Sequence, residues 1–384
     1  MKYNSQQYEE IPKGMRKLLF FDWPLLCLIS AIACFGFLML YSVANGSFYP
    51  WCQPQMERFS IGLVLLFLVA LINIKFWKMM SPFAYIFSFL LLLFVHLFGE
   101  SGMGAQRWID LKVIRLQPSE IMKVSLVMFL AAYYTWLSPD KASRPLWVLI
   151  PTIIISFPSA LILVQPDLGT SLIVLFIGGS TMFLAGVSIW YFTIVLPVIT
   201  LGLGIIITLS RGTTWQLLKD YHFKRIDSLL NPSLDPLGIG YQITQSKIAL
   251  GSGGLTGKGF MQGTQSQLKF LPEKHTDFIF TTLAEEFGFF GTVAVLIIYS
   301  SIIILTTISA ATNNDKYGSL LNSGLTITFF SYFGINIAMV IGLVPVVGVP
   351  LPLVSYGGSA MLVLMFAFVL IQCSHIHKLR IKHK

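Results

Sequence analysis

Asp277–Ala310 reads DFIFTTLAEEFGFFGTVAVLIIYSSIIILTTISA, thirty-four residues with three charged side chains, Asp277, Glu285 and Glu286. About 20 apolar residues in a helix cross a bilayer, so this run is long enough to span with length to spare. Lipid offers the backbone no hydrogen-bond partner, so the run is expected to be helical. Gly288 and Gly291 lie near its charged end, where they permit a bend or a tilt. Nine other runs flank it: Leu18–Ala44, Phe59–Ile74, Met79–Phe98, Ser119–Leu137, Leu146–Val164, Gly169–Gly186, Ile189–Leu209, Leu320–Val344 and Tyr356–Cys373. The fold expected is all-α: a polytopic membrane protein with about ten transmembrane helices and a large extracytoplasmic loop between helices 7 and 8.

Composition agrees. Of 384 residues, 55% are hydrophobic and 11% charged, against roughly 25% charged in soluble domains. The first run is too long for a cleaved signal and lacks a small-residue cleavage site, so it is expected to remain as a signal anchor. Cys27, Cys34, Cys52 and Cys373 show neither a disulfide framework nor metal-ligand spacing and read as structural.

Charge sets the orientation. Thirteen Lys/Arg fall in the termini and the loops on their side, against four (Arg58, Arg107, Lys112, Arg115) in the short loops opposite. That asymmetry puts both termini in the cytoplasm. The expected organisation is a cytoplasmic segment 1–17, helices 1–7 over 18–210, an extracytoplasmic loop 211–276, helices 8–10 over 277–373, and a basic cytoplasmic tail 374–384. The loop carries eight Lys/Arg, but loops beyond about 60 residues translocate regardless of charge. Trp215–Leu230 interleaves aromatic and basic residues as an interfacial helix would, and Gly251–Phe260 is glycine-rich and expected to be irregular. The loop reads either as a basic surface drawn to anionic headgroups or as a cradle for one. Gly251–Gly259 is not a phosphate-binding P-loop, because Gly259 stands where Ser or Thr is required. His375 and His377 in the tail read as headgroup contacts rather than metal ligands.

Charged residues in crossing helices are costly and mark function. Glu120 and Lys123 stand at i, i+3 and can pair on one helix face, as a structural ion pair or as the lining of a polar cavity open outward. Arg107, Trp108 and Arg115, in Gly104–Asp110 and Arg115–Ser119, form a basic and aromatic rim suited to a sugar diphosphate. Asp167, in the turn QPDLGT, reads as a helix cap or as part of that site. Asp277 follows Glu273, Lys274 and His275 where a charged loop meets an apolar run. A cap is the commoner role there, yet a carboxylate beside phosphate-binding cations is equally well placed. Glu285 and Glu286 lie about 80° and 180° around the helix from Asp277 and point differently.

These segments carry a resemblance. Gly104–Lys123 (GAQRWIDLKVIRLQPSEIMK), Gln165–Ser171 (QPDLGTS), Gly251–Gly291 and Gly342–Ala360 (GLVPVVGVPLPLVSYGGSA) resemble the SEDS family of RodA, FtsW and SpoVE, with Val347–Ala360 more like RodA, the elongation member. The likeness runs from Asp22 onward. Gln106 departs from the basic or small residue many members place there. The resemblance implies a peptidoglycan glycosyltransferase of the bacterial cytoplasmic membrane that polymerises lipid II and works with a class B penicillin-binding protein and other elongation-complex membrane proteins, not with nucleic acid. It implies Asp277 as the essential acidic residue. Glu120 and Lys123 match a central-cavity pair, and Arg107 and Trp108 a conserved Arg-Trp. Asp167, Lys258, Lys274 and His275 complete the expected substrate-binding set.

A polyprenyl diphosphate leaves as an anion, so the chemistry needs no general acid. It needs one base at the acceptor hydroxyl and positive charge at the leaving oxygens. Asp277 is the expected base, with Arg107, Lys123 and Lys274 at the diphosphate. A divalent cation (Mg or Mn) remains an open option, with no metal ligands assigned. A flippase of the lipid-linked precursor and a non-catalytic scaffold are the rival functions, although no half-helix pair of the transporter kind stands out.

Overall fold

The computed structural model describes residues 14–102, 105–110, 115–213, 223, 225, 227–229, 231, 235, 238–268, 270–271 and 273–378. Most of the expected interfacial helix Trp215–Leu230 lies outside the described residues, as do Lys112, Lys269 and the ends of both termini. Seven helices precede the large loop: α1 (Trp23–Val43), α2 (Cys52–Val69), α3 (Ile74–Phe98), α4 (Pro118–Trp136), α5 (Pro145–Val164), α6 (Leu168–Leu184) and α7 (Leu196–Ser210). A π-helical turn, Tyr191–Val195, leads into α7. Within the loop are α8 (Ile239–Ser252) and the single turn α9 (Thr264–Gln267). The chain ends with α10 (Ile279–Ala311), α11 (Lys316–Val340) and α12 (Gly358–Ile376).

Helix starts are written locally. Asp22, Asn73, Asp167 and Asp315 each accept a backbone N–H from the first turn of α1, α3, α6 and α11. These caps satisfy donors that a helix N-terminus leaves open. Pro118 and Pro145 open α4 and α5, where a missing N–H costs nothing.

Among the described residues seven helices are long and apolar enough to cross a membrane: α1, α3, α5, the Tyr191–Ser210 helix, α10, α11 and α12. The shorter α6 is also apolar. α2 begins with polar residues, Glu57 and Arg58 among them, ahead of its apolar run, and α4 carries Glu120 and Lys123 within its own. The chain is thus a helical, multi-pass membrane protein. One departure from the expected all-helical layout is a small antiparallel sheet of β1 (Glu100–Gly102), β2 (Ala105–Asp110) and β3 (Arg115–Leu116), in a segment read as a short loop. Short paired strands let this segment close its backbone hydrogen bonds before the chain enters α4.

α11 and α4 lie in a core to which α1, α10 and α12 also contribute. α11 packs against α4, α6, α10 and α12, while α3 covers α4, α2 lies on α12 and α1 on α10. α7 is the opposite case, burying only Ser210.

At the end of the bundle where the termini meet, Lys17 Nζ donates to Leu71 O (2.5 Å) and approaches His377 Nε2 at 2.9 Å. His377 is buried, and His375 Nδ1 lies 3.9 Å from an Asp22 carboxylate oxygen. The expectation of two headgroup contacts in the tail is therefore corrected. α12 continues to Ile376, so both rings pack back on the bundle. The four cysteines are free; Cys27 and Cys34 are exposed, Cys52 and Cys373 buried.

Candidate functional site

Asp277 sits in the turn Glu273–Phe278 that delivers the chain into α10. Phe278 is the N-cap position, so Asp277 caps nothing and the capping role is excluded. Its backbone is fixed from two other elements. Asn336 of α11 donates to Asp277 O (2.9 Å) and to Val349 O (2.7 Å). Ser355 Oγ donates to Thr276 O (2.5 Å), and Tyr356 N to His275 O (2.9 Å). The segment Gly342–Ala360, singled out in the sequence by its motif, thus serves as the seat of this turn.

The side chain is held differently. The Asp277 carboxylate has no hydrogen-bond partner among the described residues, and it keeps partial exposure. Burial, then the nearby Glu273 charge, push its pKa up to about 7, with Asp167 adding to the rise and Arg225 opposing it. A carboxyl raised by desolvation and like charge is what a base working near neutral pH requires.

Asp167 shows the contrast. Its carboxylate accepts from Thr170 N (3.2 Å), lies 3.6 Å from Arg107 Nη1 and receives Gln117 Nε2 at 3.5 Å. The cap role expected for Asp167 is formed, and the same carboxylate pairs with Arg107. Arg107, reaching over from β2, also donates to the carbonyls of Gln165 (3.2 Å) and Pro166. That turn orients the guanidinium, and the side chain stays 22% exposed. Trp108 follows on β2, half-buried, with its backbone opposite Glu100.

Glu120 and Lys123 pair at 2.7 Å with side chains only 6% and 2% exposed. Tyr332 Oη donates to the other Glu120 oxygen, and its ring lies 4.2 Å beneath the Lys123 ammonium. Of the two readings, the geometry fits the structural ion pair: the two side chains and Tyr332 form a closed unit between α4 and α11. The reason is local: charge in a helical core is tolerable when each partner is fully met.

Lys258 and Lys274 are similarly engaged. Lys258 Nζ lies 2.6 Å from Glu285 Oε1, and buried Lys274 donates to Ser266 O at 2.7 Å. The glycine-rich strip is helical through Ser252 and turns only from Gly253 onward, later than expected. Glu286 points elsewhere, as its helix angle required, and accepts from Ser42 of α1 at 2.5 Å.

On the other flank His275 stacks on Trp51 with ring centres 4.5 Å apart, and Tyr356 lies 6.2 Å from His275. Burial holds the His275 imidazole below its ordinary pKa, so near neutral pH it offers a stacking face rather than a charge. Arg58 lies over the Tyr356 ring at 5.1 Å; its Nη1 is buried without a hydrogen-bond partner, and no carboxylate lies within ion-pair distance among the described residues. Sequence reasoning counted Arg58 only as a loop charge and passed over Trp51, Gln117, Asn336 and Tyr356. One signal was available: Arg58 stands beside Glu57 at the polar start of α2, directly before its apolar run. Gln117 N meets Ser359 Oγ at 3.3 Å, and Arg58 lies beside Gly358, so the start of α12 stands between the Arg107 and Arg58 flanks. Among the described residues no three His, Cys, Asp or Glu side chains group as a metal centre.

Comparison with known proteins places this arrangement in context. The family model described as cell cycle protein, built on FtsW, RodA and SpoVE, matches residues 16–379. The peptidoglycan glycosyltransferase MrdB of Escherichia coli (strain K12) is 40% identical over 358 residues, 93% of this chain and 94% of that protein. Among solved structures, a chain from work on the coordination of polymerization and crosslinking by a peptidoglycan synthase complex superposes with a TM-score of 0.78 at 28% identity, covering 92% of this chain and 97% of that one. The rod shape determining protein RodA of Thermus thermophilus superposes at 0.68 with 26% identity, covering 92% and 96%.

Proposed function

This chain belongs to the FtsW, RodA and SpoVE family, and from that premise we infer that it is a peptidoglycan glycosyltransferase with Asp277 as its general base. It acts on lipid II at the membrane and serves cell-wall growth on the RodA, elongation side of the family. Ten helices cross the cytoplasmic membrane, α1 to α7 and α10 to α12, with both termini inside and the 211–276 loop outside. The partner is a class B penicillin-binding protein; the likeness to a chain of a polymerising and crosslinking complex supports this.

The observation that carries the base is the Asp277 carboxylate itself: unbonded among the described residues, partly exposed, and pushed up to about 7. It takes the proton from the acceptor's sugar 4-hydroxyl as that oxygen attacks C1 of the donor. The bond from C1 to the diphosphate oxygen breaks, and the lipid diphosphate departs as an anion. One carboxylate without a covalent intermediate implies inversion at C1. Arg107 and Arg58 flank the start of α12 and supply positive charge to the diphosphate oxygens. Lys123 and Lys274, met by Glu120 and by the Ser266 carbonyl, add to the local field from deeper positions. Trp51, Trp108, His275 and Tyr356 offer aromatic faces to sugar rings.

Reconstituting the purified protein with labelled lipid II and its transpeptidase partner tests this. Glycan ladders from the parent and none from Asp277→Asn are expected. Leaflet exchange of lipid II without polymer would make the protein a flippase instead, and neither product would leave a scaffold.

A further inference from the structure

α10 is broken at Gly288, where φ is +63°. The first segment after Ile279 ends there, and its last carbonyls need new donors. The glycine-rich loop supplies them. Lys258 N donates to Glu285 O and Gly259 N to Glu286 O, both at 3.0 Å. Beyond the break, Phe289 N and Phe290 N donate back to Gly254 O (2.9 Å) and Leu255 O (3.1 Å). The two backbones approach so closely that a Cβ on Gly257 or Gly288 would meet the other segment's main-chain atoms. Only glycine fits at both places.

Glu285 locks this junction. Fully buried, it accepts from Lys258 Nζ (2.6 Å), Thr264 Oγ1 (3.0 Å) and Gln265 N (3.0 Å). Lys258 Nζ also donates to Thr264 Oγ1 at 2.7 Å. The carboxylate therefore fixes the start of α9, and α9 presents Ser266 O to the Lys274 ammonium. Lys274 lies three residues before Asp277, in the turn closed by Phe278 N on Glu273 O (3.2 Å). The chain from 264 to 277 is tied at one end by Glu285 and at the other by the Asn336 and Ser355 contacts.

We propose that Glu285 is a positioning residue: with Lys258 as counter-ion it clamps the Gly253–Gln267 segment into the break of α10 and so, through Ser266 and Lys274, sets the Asp277 carboxylate. Lys258 is then part of the clamp rather than a direct contact of the diphosphate. The proposal rests on Asp277 as base. It differs from a direct substrate role in one measurable respect: the effects of Lys258 and Glu285 must be coupled.

The experiment is a double-mutant cycle of Lys258→Gln and Glu285→Gln in the full-length protein, reconstituted with lipid II and its transpeptidase partner, with kcat and KM read separately. Misplacing a base by about an ångström costs up to about 100-fold, so either single variant should lose about 10- to 100-fold in kcat with KM little changed. The double variant, with two neutral amides able to bond each other, should lose no more than the worse single one. Multiplicative losses with KM rising in Lys258→Gln would overturn the clamp and return Lys258 to the diphosphate. Unchanged kcat per folded molecule, with only the yield of folded protein lowered, would also overturn it. Lys258 is 27% exposed, so its variant stays measurable if Glu285→Gln fails to fold. Asp277→Asn in the parental background separates the two readings, since residual parental activity there refutes the base while the cycle still reports on coupling.

Discussion

Two turns on the same end of the bundle each offer an aspartate, and they use it in opposite ways. In the turn Gln165–Thr170, Asp167 caps α6, pairs with Arg107 and receives Gln117. In the turn Glu273–Phe278, the Asp277 backbone is held by Asn336 while its carboxylate is left unbonded among the described residues. A carboxylate that accepts several donors has its lone pairs engaged by the fold. One that is desolvated without donors is destabilised as an anion and holds its proton more tightly. On the proposed assignment of Asp277 as base, chemistry is placed where structure asks least of the side chain.

The sharpest way to break this comparison is the same isosteric change at both sites. Asp277→Asn should cost at least the 10²- to 10⁴-fold that a general base contributes, with folded protein still in the membrane. A polymerisation assay giving the parental rate would remove Asp277 from the mechanism. The pH profile sharpens the point: kcat/KM should rise with pH through a limb centred near 7, and a limb near 4 would mean an ordinary carboxylate. Stability runs the other way. The folded pKa is raised, so the parent's stability falls as pH rises from about 4 to about 7, and Asp277→Asn should melt higher than the parent at pH 8 but not at pH 4.

Next in size is Arg58, the half-buried guanidinium without a carboxylate partner among the described residues. Losing a charge-assisted contact worth about 1.5–3 kcal/mol, Arg58→Ala should raise KM for lipid II about tenfold or more. An unchanged KM would show that the two flanks of α12 are not equivalent. Asp167→Asn keeps a competent cap and loses only the pairing with Arg107, so activity should fall far less than in Asp277→Asn. Asp167→Ala loses the cap as well and should cost about 1 kcal/mol more in thermal unfolding. The smallest effect is expected at Arg115, whose 73%-exposed side chain pairs with Asp110 at 3.7 Å. Arg115→Ala should shift stability by less than about 1 kcal/mol, by the same melting assay.

How much of the site could be read from residues alone follows from the same contrast. Asp277 was visible because a charged cluster abuts an apolar run, and Asp167 because turn chemistry is local. Glu285 and Glu286 were correctly seen to diverge, since helix geometry fixes that angle. The Glu120–Lys123 pair was legible from its i, i+3 spacing, whereas the engagement of Lys258 and Lys274 was hidden, because an ammonium looks the same in sequence whether it meets a carboxylate, a carbonyl or a substrate. Arg58 and Tyr356 went unweighed for a related reason: they are 298 residues apart, and no periodicity links them.

Hydrophobic run length, caps and loop charge are properties of contiguous chain, and the bilayer converts them directly into helices. From these alone the chain was bound to be a helical membrane protein with its charges gathered between and beside particular spans. Which charges neutralise one another across remote segments was decided only when β2 met the turn before α6 and the glycine loop entered the break in α10. Ion pairing depends on a few ångströms of distance between remote segments, and only the packed fold sets that distance.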